Sequence, residues 1–189
     1  FAGGQMSLTI MTSAAVYIAE RILQGSLEDV PKLLGPFLLT AIPTFVFVPR
    51  ITARFGWEKT ALWATVALGI CYAGTGLLGR ALVGTPITTA MLVFACAGPG
   101  AAFVLGLEGE AIARSAERSE HRSTSIYFGV YNFVVKALNG VALFITGLLA
   151  EQGSVTAIRA MPILAGGLCV SGVGFYLLAR PRSRALTPS

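Results

Sequence analysis

Six long apolar runs divide the chain, separated by short polar stretches. They extend from about Met6 to Leu23, Leu33 to Ile51, Thr60 to Leu78, Thr85 to about Glu110, Ser125 to Ala150, and Ala160 to Ala179. As helices rising 1.5 Å per residue, runs of this length span about 30 Å of hydrocarbon. The connections are short: the polar Leu27-Glu28-Asp29-Val30-Pro31, then Gly79-Arg80 and Gly84-Thr85-Pro86, then Gln152-Gly153-Ser154. Pro31 suits the first turn of the helix that follows. No connection can hold a second domain. The expectation is an all-α, polytopic membrane protein in which residues 1–189 form a single membrane domain of six transmembrane helices.

The fifth run breaks its own pattern. Ser125, Gly129, Asn132, Lys136, Asn139, Gly140 and Gly147 recur at three- and four-residue spacing, while Ile126, Val130, Phe133, Val134, Ala137, Val141, Phe144 and Leu148 fill the other side. Such a helix has a polar face at membrane depth and an apolar face for lipid or packing. Lys136 lies fourteen positions after Arg122, about 21 Å along a helix. With Arg122 at the membrane surface, Lys136 lies past the midplane. A charge there costs at least ~2.5–3.5 kcal/mol on insertion scales, so it faces protein or water and marks a substrate or ion path, or else pairs with an acid to hold helices together. Lys136, Asn132 and Asn139 are therefore candidate pathway residues. The first run carries a comparable stripe of Gln5, Thr9, Thr12 or Ser13, Tyr17 and Glu20. Thr12 and Tyr17 join the candidates, Tyr17 being suited to stack on or hydrogen-bond a polar ligand.

Composition supports the membrane reading. The chain is 54% hydrophobic and 12% charged, with a mean hydropathy of +0.73, whereas soluble domains carry about 25% charged residues. A soluble enzyme, a nucleic-acid module and a disordered tail are excluded on that ground. The net charge of +5 comes from basic residues dispersed between apolar runs, which fits a positive-inside bias better than a nucleic-acid partner. With the first residue placed in the cytoplasm, inside segments hold Arg50, Arg54, Lys59, Arg114, Arg118, Arg122, Arg180, Arg182 and Arg184, and outside segments hold Arg21, Lys32, Arg80 and Arg159. Nine against four puts both ends in the cytoplasm of a multi-pass cell-membrane protein. Cys71, Cys96 and Cys169 all lie within apolar runs and His121 is the only histidine, so neither a metal site nor a disulfide framework is expected. There is no Walker loop, dinucleotide glycine fingerprint or nucleophile elbow. No enzyme activity and no cofactor are expected.

Small residues and prolines shape the helices. Gly167 with Ser171 and Ala102 with Gly106 have the spacing of small-xxx-small contacts. Gly98-Pro99-Gly100 is expected to bend the fourth helix. Glu110 and Arg114 stand at i, i+4 in the favoured acid-first order, and are expected to pair at the cytoplasmic edge. Glu108 lies deeper, with no partner in its own helix. The chain begins at Phe1 only a few residues before an apolar run, and an upstream continuation is expected.

The stretch from Glu110 through Arg122-Ser-Thr-Ser-Ile-Tyr-Phe-Gly-Val-Tyr-Asn-Phe-Val-Val-Lys136 resembles helices ten and eleven of the glycoside–pentoside–hexuronide:cation symporter family. This is the melibiose-carrier branch of the major facilitator superfamily. That family has an acid, then an arginine in a cytoplasmic loop, then an aromatic-rich helix with a lysine fourteen positions after the arginine. Pro49-Arg50-Ile-Thr-Ala-Arg54-Phe-Gly56-Trp-Glu-Lys59 is similar to its loop between helices eight and nine, and Ala157-Ile-Arg159-Ala-Met-Pro162 to the start of its last helix. The resemblance covers most of the chain. It departs at Ala113, where relatives often have a second aspartate, and at Thr124, where an acid or glycine is frequent.

The resemblance implies that the six helices are the C-terminal bundle of a twelve-helix fold, with the N-terminal half as the missing partner. It implies cation-coupled symport, by Na⁺ or H⁺, of a sugar or related small solute through alternating access. Lys136 takes the place of the helix-eleven lysine near the sugar and cation sites, Arg122 that of a cytoplasmic gate residue, and Glu110 that of the first acid of the helix-ten motif. The alternative is a non-transporting membrane protein on the same fold, in an assembly, pigment-delivery or sensor role, motivated by the lost acid at Ala113.

Overall fold

A computed structural model of the chain describes residues 2–78, 85–117 and 124–179. Among them there are six α-helices: α1 (Ala2–Tyr17), α2 (Val30–Phe55), α3 (Trp57–Gly74), α4 (Pro86–Glu117), α5 (Thr124–Glu151) and α6 (Val155–Ala179). A π-helical turn, Ile18–Ile22, continues α1, and 3₁₀ turns at Leu27–Asp29 and Thr75–Leu77 precede α2 and follow α3.

The ends of these helices have identifiable causes. The polar segment expected as a loop at Leu27–Pro31 is instead the 3₁₀ turn and the start of α2, with proline in its first turn. The Ser26 amide donates to Asp29 Oδ2 across 2.9 Å, and Asp29 pairs with Lys32, so the helix entry is held by its own side chains. Gly56 separates α2 from α3 with a φ of 83°, a conformation that an L side chain resists. The Ala157 amide donates to Ser154 Oγ across 3.1 Å and caps α6.

α4, α3, α6, α1 and α5 form a ring of neighbours, and α2 lies on α4, its main contact. The core runs along α1 through Ile10, Met11, Ala14, Ala15 and Ile18, and meets Leu68 and Tyr72 of α3, Phe94 and Val104 of α4, and Met161 and Ala165 of α6. α2 turns Leu38, Leu39, Ile42 and Val46 outward. That is the surface expected for lipid, not water.

Among the described residues, four segments are long and apolar enough to cross a membrane: Leu27–Phe55, Pro86–Arg114, Ser125–Glu151 and Val155–Leu178. Length and composition alone do not establish the spans expected in the first and third runs. The α-helical part of α1 is 16 residues, because the backbone changes to a π turn after Tyr17. α3 opens with Trp57, Glu58 and Lys59, which lower its mean apolarity.

One local expectation is corrected. Gly167 and Ser171 are exposed and a Cβ on Gly167 would meet nothing within 4 Å. The close contact is made one residue earlier, where a Cβ on Gly166 would stand 2.7 Å from the Gly69 carbonyl oxygen of α3. α4 stays helical through Gly98-Pro99-Gly100, with Pro99 inside it. Those glycines serve approach: Gly98 lies against the Phe37 carbonyl of α2, and Gly100 against Ala64 and Leu68 of α3. Ala102 is buried and Gly106 meets Val48 and Phe45, so this second small-residue pair is a packing contact.

Candidate functional site

α5 buries a narrow strip. Val135, Ala142 and Thr146 are covered, and Tyr131 and Leu138 are half-buried on the same face. The apolar side is open, with Phe133 75% and Phe144 67% exposed. The polar stripe between the two is open as well: Asn132, Lys136 and Gly140 are exposed. Lys136 makes no ion pair among the described residues. Asn139 is half-buried at the margin of the strip, and its Oδ1 is covered without a hydrogen-bond partner. A covered carbonyl left unpaired costs ~1–3 kcal/mol, which a ligand, water or neighbouring chain can offset.

The first-helix candidates do not converge on this stripe. The Thr12 hydroxyl bonds back to the carbonyls of Leu8 and Thr9 in its own helix, at 3.0 and 3.1 Å. Thr12 also lines a small recess beside Leu34, Phe37 and Phe94. Tyr17 packs against the apolar core. α1 and α5 are neighbours, but among the described residues no hydrogen bond joins Thr12 or Tyr17 to Asn132, Lys136 or Asn139.

Glu110 and Arg114 pair as their spacing predicts. Arg114 donates through Nε and Nη2 to Glu110 Oε1, at 3.0 and 2.6 Å. The guanidinium also lies 5.7 Å from the centre of the Trp57 ring, tying α4 to the start of α3. Arg122 lies outside the described residues.

One junction was not legible in the sequence. Gln5 Nε2 of α1 donates to Glu108 Oε2 of α4. The covered Tyr131 hydroxyl of α5 lies beside the same carboxylate without closing a hydrogen bond. Three helices thus meet on one acid. The available signals were the unpaired depth of Glu108 and the position of Gln5 in the α1 stripe, but nothing in the sequence says which helices are neighbours.

With this geometry in place, comparison with known proteins identifies the family. The family model for MFS/sugar transport proteins matches residues 3–172. The chain belongs to this family. It is a multi-pass transporter of the major facilitator superfamily, consistent with the melibiose-carrier-like stretch around Arg122 and Lys136. No curated protein and no solved structure gives a significant match.

Proposed function

We propose that the chain is the C-terminal six-helix half of a secondary active transporter. It works by alternating access and couples movement of a sugar or related small solute across the membrane to that of Na⁺ or H⁺. All six helices cross the membrane, α1 with its π turn and α3 with its 3₁₀ turn, and both ends lie in the cytoplasm. The excess of basic residues on that side supports the orientation. The observation that carries the reading is Lys136, an exposed cation in the middle of an apolar span with no acid of its own bundle to pair with among the described residues. In a bilayer such a residue has to face water or another protein surface. In transporters built from two repeats, the space between the repeats is where solute and coupling ion bind.

Asn132 and Asn139 flank Lys136 and supply amide donors and acceptors, the chemistry needed to hold sugar hydroxyls. Glu110 and Arg114, with Arg122 in the adjoining segment, form the cytoplasmic contact that opens and closes. The test is uptake by the full-length protein in proteoliposomes. A panel of labelled mono- and disaccharides is offered under an imposed Na⁺ or pH gradient, with Lys136→Ala beside the wild type. Gradient-driven accumulation that the substitution abolishes is the expected outcome. Absence of gradient-driven uptake across the panel rejects coupled sugar transport, and undiminished uptake in Lys136→Ala rejects the role of the lysine.

A further inference from the structure

Cys71 of α3 and Cys96 of α4 are brought together by the register in which these two helices pack. Three contacts along the seam fix that register. Arg114 lies over the Trp57 ring, Leu107 shares a buried cluster with Ala61, and a Cβ on Gly100 would stand 3.1 Å from the Leu68 Cβ and 3.3 Å from the Ala64 carbonyl oxygen. As α3 advances, its partner on α4 recedes, so the pair is antiparallel, and Gly100 lets the backbones approach closely. Cys71 follows Leu68 by three residues and Cys96 precedes Gly100 by four. Each therefore stands about one helical turn beyond the Leu68–Gly100 contact, in the same direction and on the same face as its neighbour in that contact.

Both thiols lie on the outer edge of the seam. Tyr72 and Ala97, the next positions on each helix, are 1% exposed and point to the core, whereas Cys71 is half-buried and Cys96 exposed. The crevice that Glu58 and Tyr176 wall, between α1, α3 and α6, is on the other flank of α3, the one that meets α6 through Gly69. The two thiols are near enough to interact electrostatically. We propose that Cys71 and Cys96 are a disulfide-exchange site: a small apolar disulfide arriving from the lipid is reduced there, and the two cysteine sulfurs join across the α3–α4 seam.

The exchange balances with that one co-reactant. The first cysteine sulfur attacks one sulfur of the small disulfide, forming a mixed disulfide, and its proton leaves with the first small thiol. The second cysteine sulfur then attacks the protein sulfur of the mixed disulfide, and its proton leaves with the second small thiol. Two protein thiols are oxidised and one disulfide is reduced to two thiols. The edge faces hydrocarbon in a membrane-embedded bundle, so an apolar disulfide reaches it and a charged one does not. Cys169 takes no part, being fully buried with its sulfur 3.0 Å from Ser7 Oγ. Once closed, the bond pins α3 to α4 and prevents either from sliding along the other.

The site rests on helix register and not on what the transporter carries, and its test requires no transport. The folded full-length protein is treated with 2,2′-dithiodipyridine, residual thiols are blocked with iodoacetamide, and a tryptic digest made without reductant is read by mass spectrometry. Cleavage after Lys59, Arg80 and Arg114 puts the two cysteines on separate peptides, residues 60–80 and 81–114. The expected product is these two peptides joined, lighter by two hydrogens than their sum and free of pyridyl groups. It should exceed the doubly pyridylated chain by about tenfold, because the second step of a held pair is intramolecular. In Cys71→Ser, Cys96 should instead keep one pyridylthio group, since no second thiol displaces it, and Cys96→Ser should give the reciprocal product. Pyridyl groups retained on both cysteines of the wild type overturn the proposal. So do unreacted thiols at either position, or a linked peptide that forms only after denaturation.

Discussion

The Gln5 amide donates to Glu108 Oε2 across 2.5 Å and joins α1 to α4 over 103 positions of sequence. Tyr131 of α5 stands beside the same carboxylate. Glu108→Ala would leave the Gln5 amide and the Tyr131 hydroxyl facing an empty, partly covered space. The expected loss of stability is about 1–3 kcal/mol, read as earlier thermal unfolding in detergent. Gln5→Ala added to Glu108→Ala should cost little more, since the two residues share one interaction. Additive effects would mean that the bond contributes nothing.

Lys136 gives the opposite expectation. It is exposed and unpaired among the described residues, so Lys136→Ala should change stability by less than about 0.5 kcal/mol. Solute uptake by the full-length protein should fall at least tenfold. Measuring unfolding and uptake on the same preparation separates the two. A large loss of stability would show that the lysine holds helices together.

The contact of α4 with α2 turns on one glycine. A Cβ on Gly98 would stand 2.4 Å from the Phe37 carbonyl oxygen and 2.1 Å from Thr40 Oγ1. Thr40 cannot simply turn away, because its hydroxyl also donates to the Ala95 carbonyl of α4 across 2.7 Å. Gly98→Ala should destabilise by about 1–3 kcal/mol through overpacking. Gly172→Ala, with open space around it, should be neutral or slightly stabilising. Equal melting temperatures for the two variants would refute the close approach.

Glu110 and Arg114 are paired but exposed, with side chains 37% and 47% accessible. Such a pair contributes little in water, so Glu110→Gln should cost at most about 0.5 kcal/mol. Under the gate reading the same change should alter the rate of transport. A variant with unaltered uptake kinetics would remove Glu110 from the gate.

The helices were legible because lipid-spanning segments need long apolar runs. The expected end of the fifth run, Ala150, is one residue from the observed end of α5, and its start at Ser125 is equally close. The fourth was read as ending near Glu110 and runs on to Glu117, since polar residues that leave the membrane can continue a helix in water. The Glu110–Arg114 pair was legible because i, i+4 spacing places both partners on one surface. The partners of Glu108 were not, because they lie on other helices.

The sequence by itself determined the class of the protein, the approximate bounds of its helices, the polar stripe around Lys136 and the family resemblance. These follow from local spacing, which a helix converts directly into faces. Only the tertiary structure decided that Gly166, not Gly167, meets α3, that Thr12 lines a recess away from the α5 stripe, that Gln5 and Glu108 meet, and that Glu58 and Tyr176 wall a crevice. Each of these depends on which helices are neighbours and at what rotation. Six apolar helices can be arranged in many ways with similar burial, and close small-residue contacts and a few polar bonds select among them.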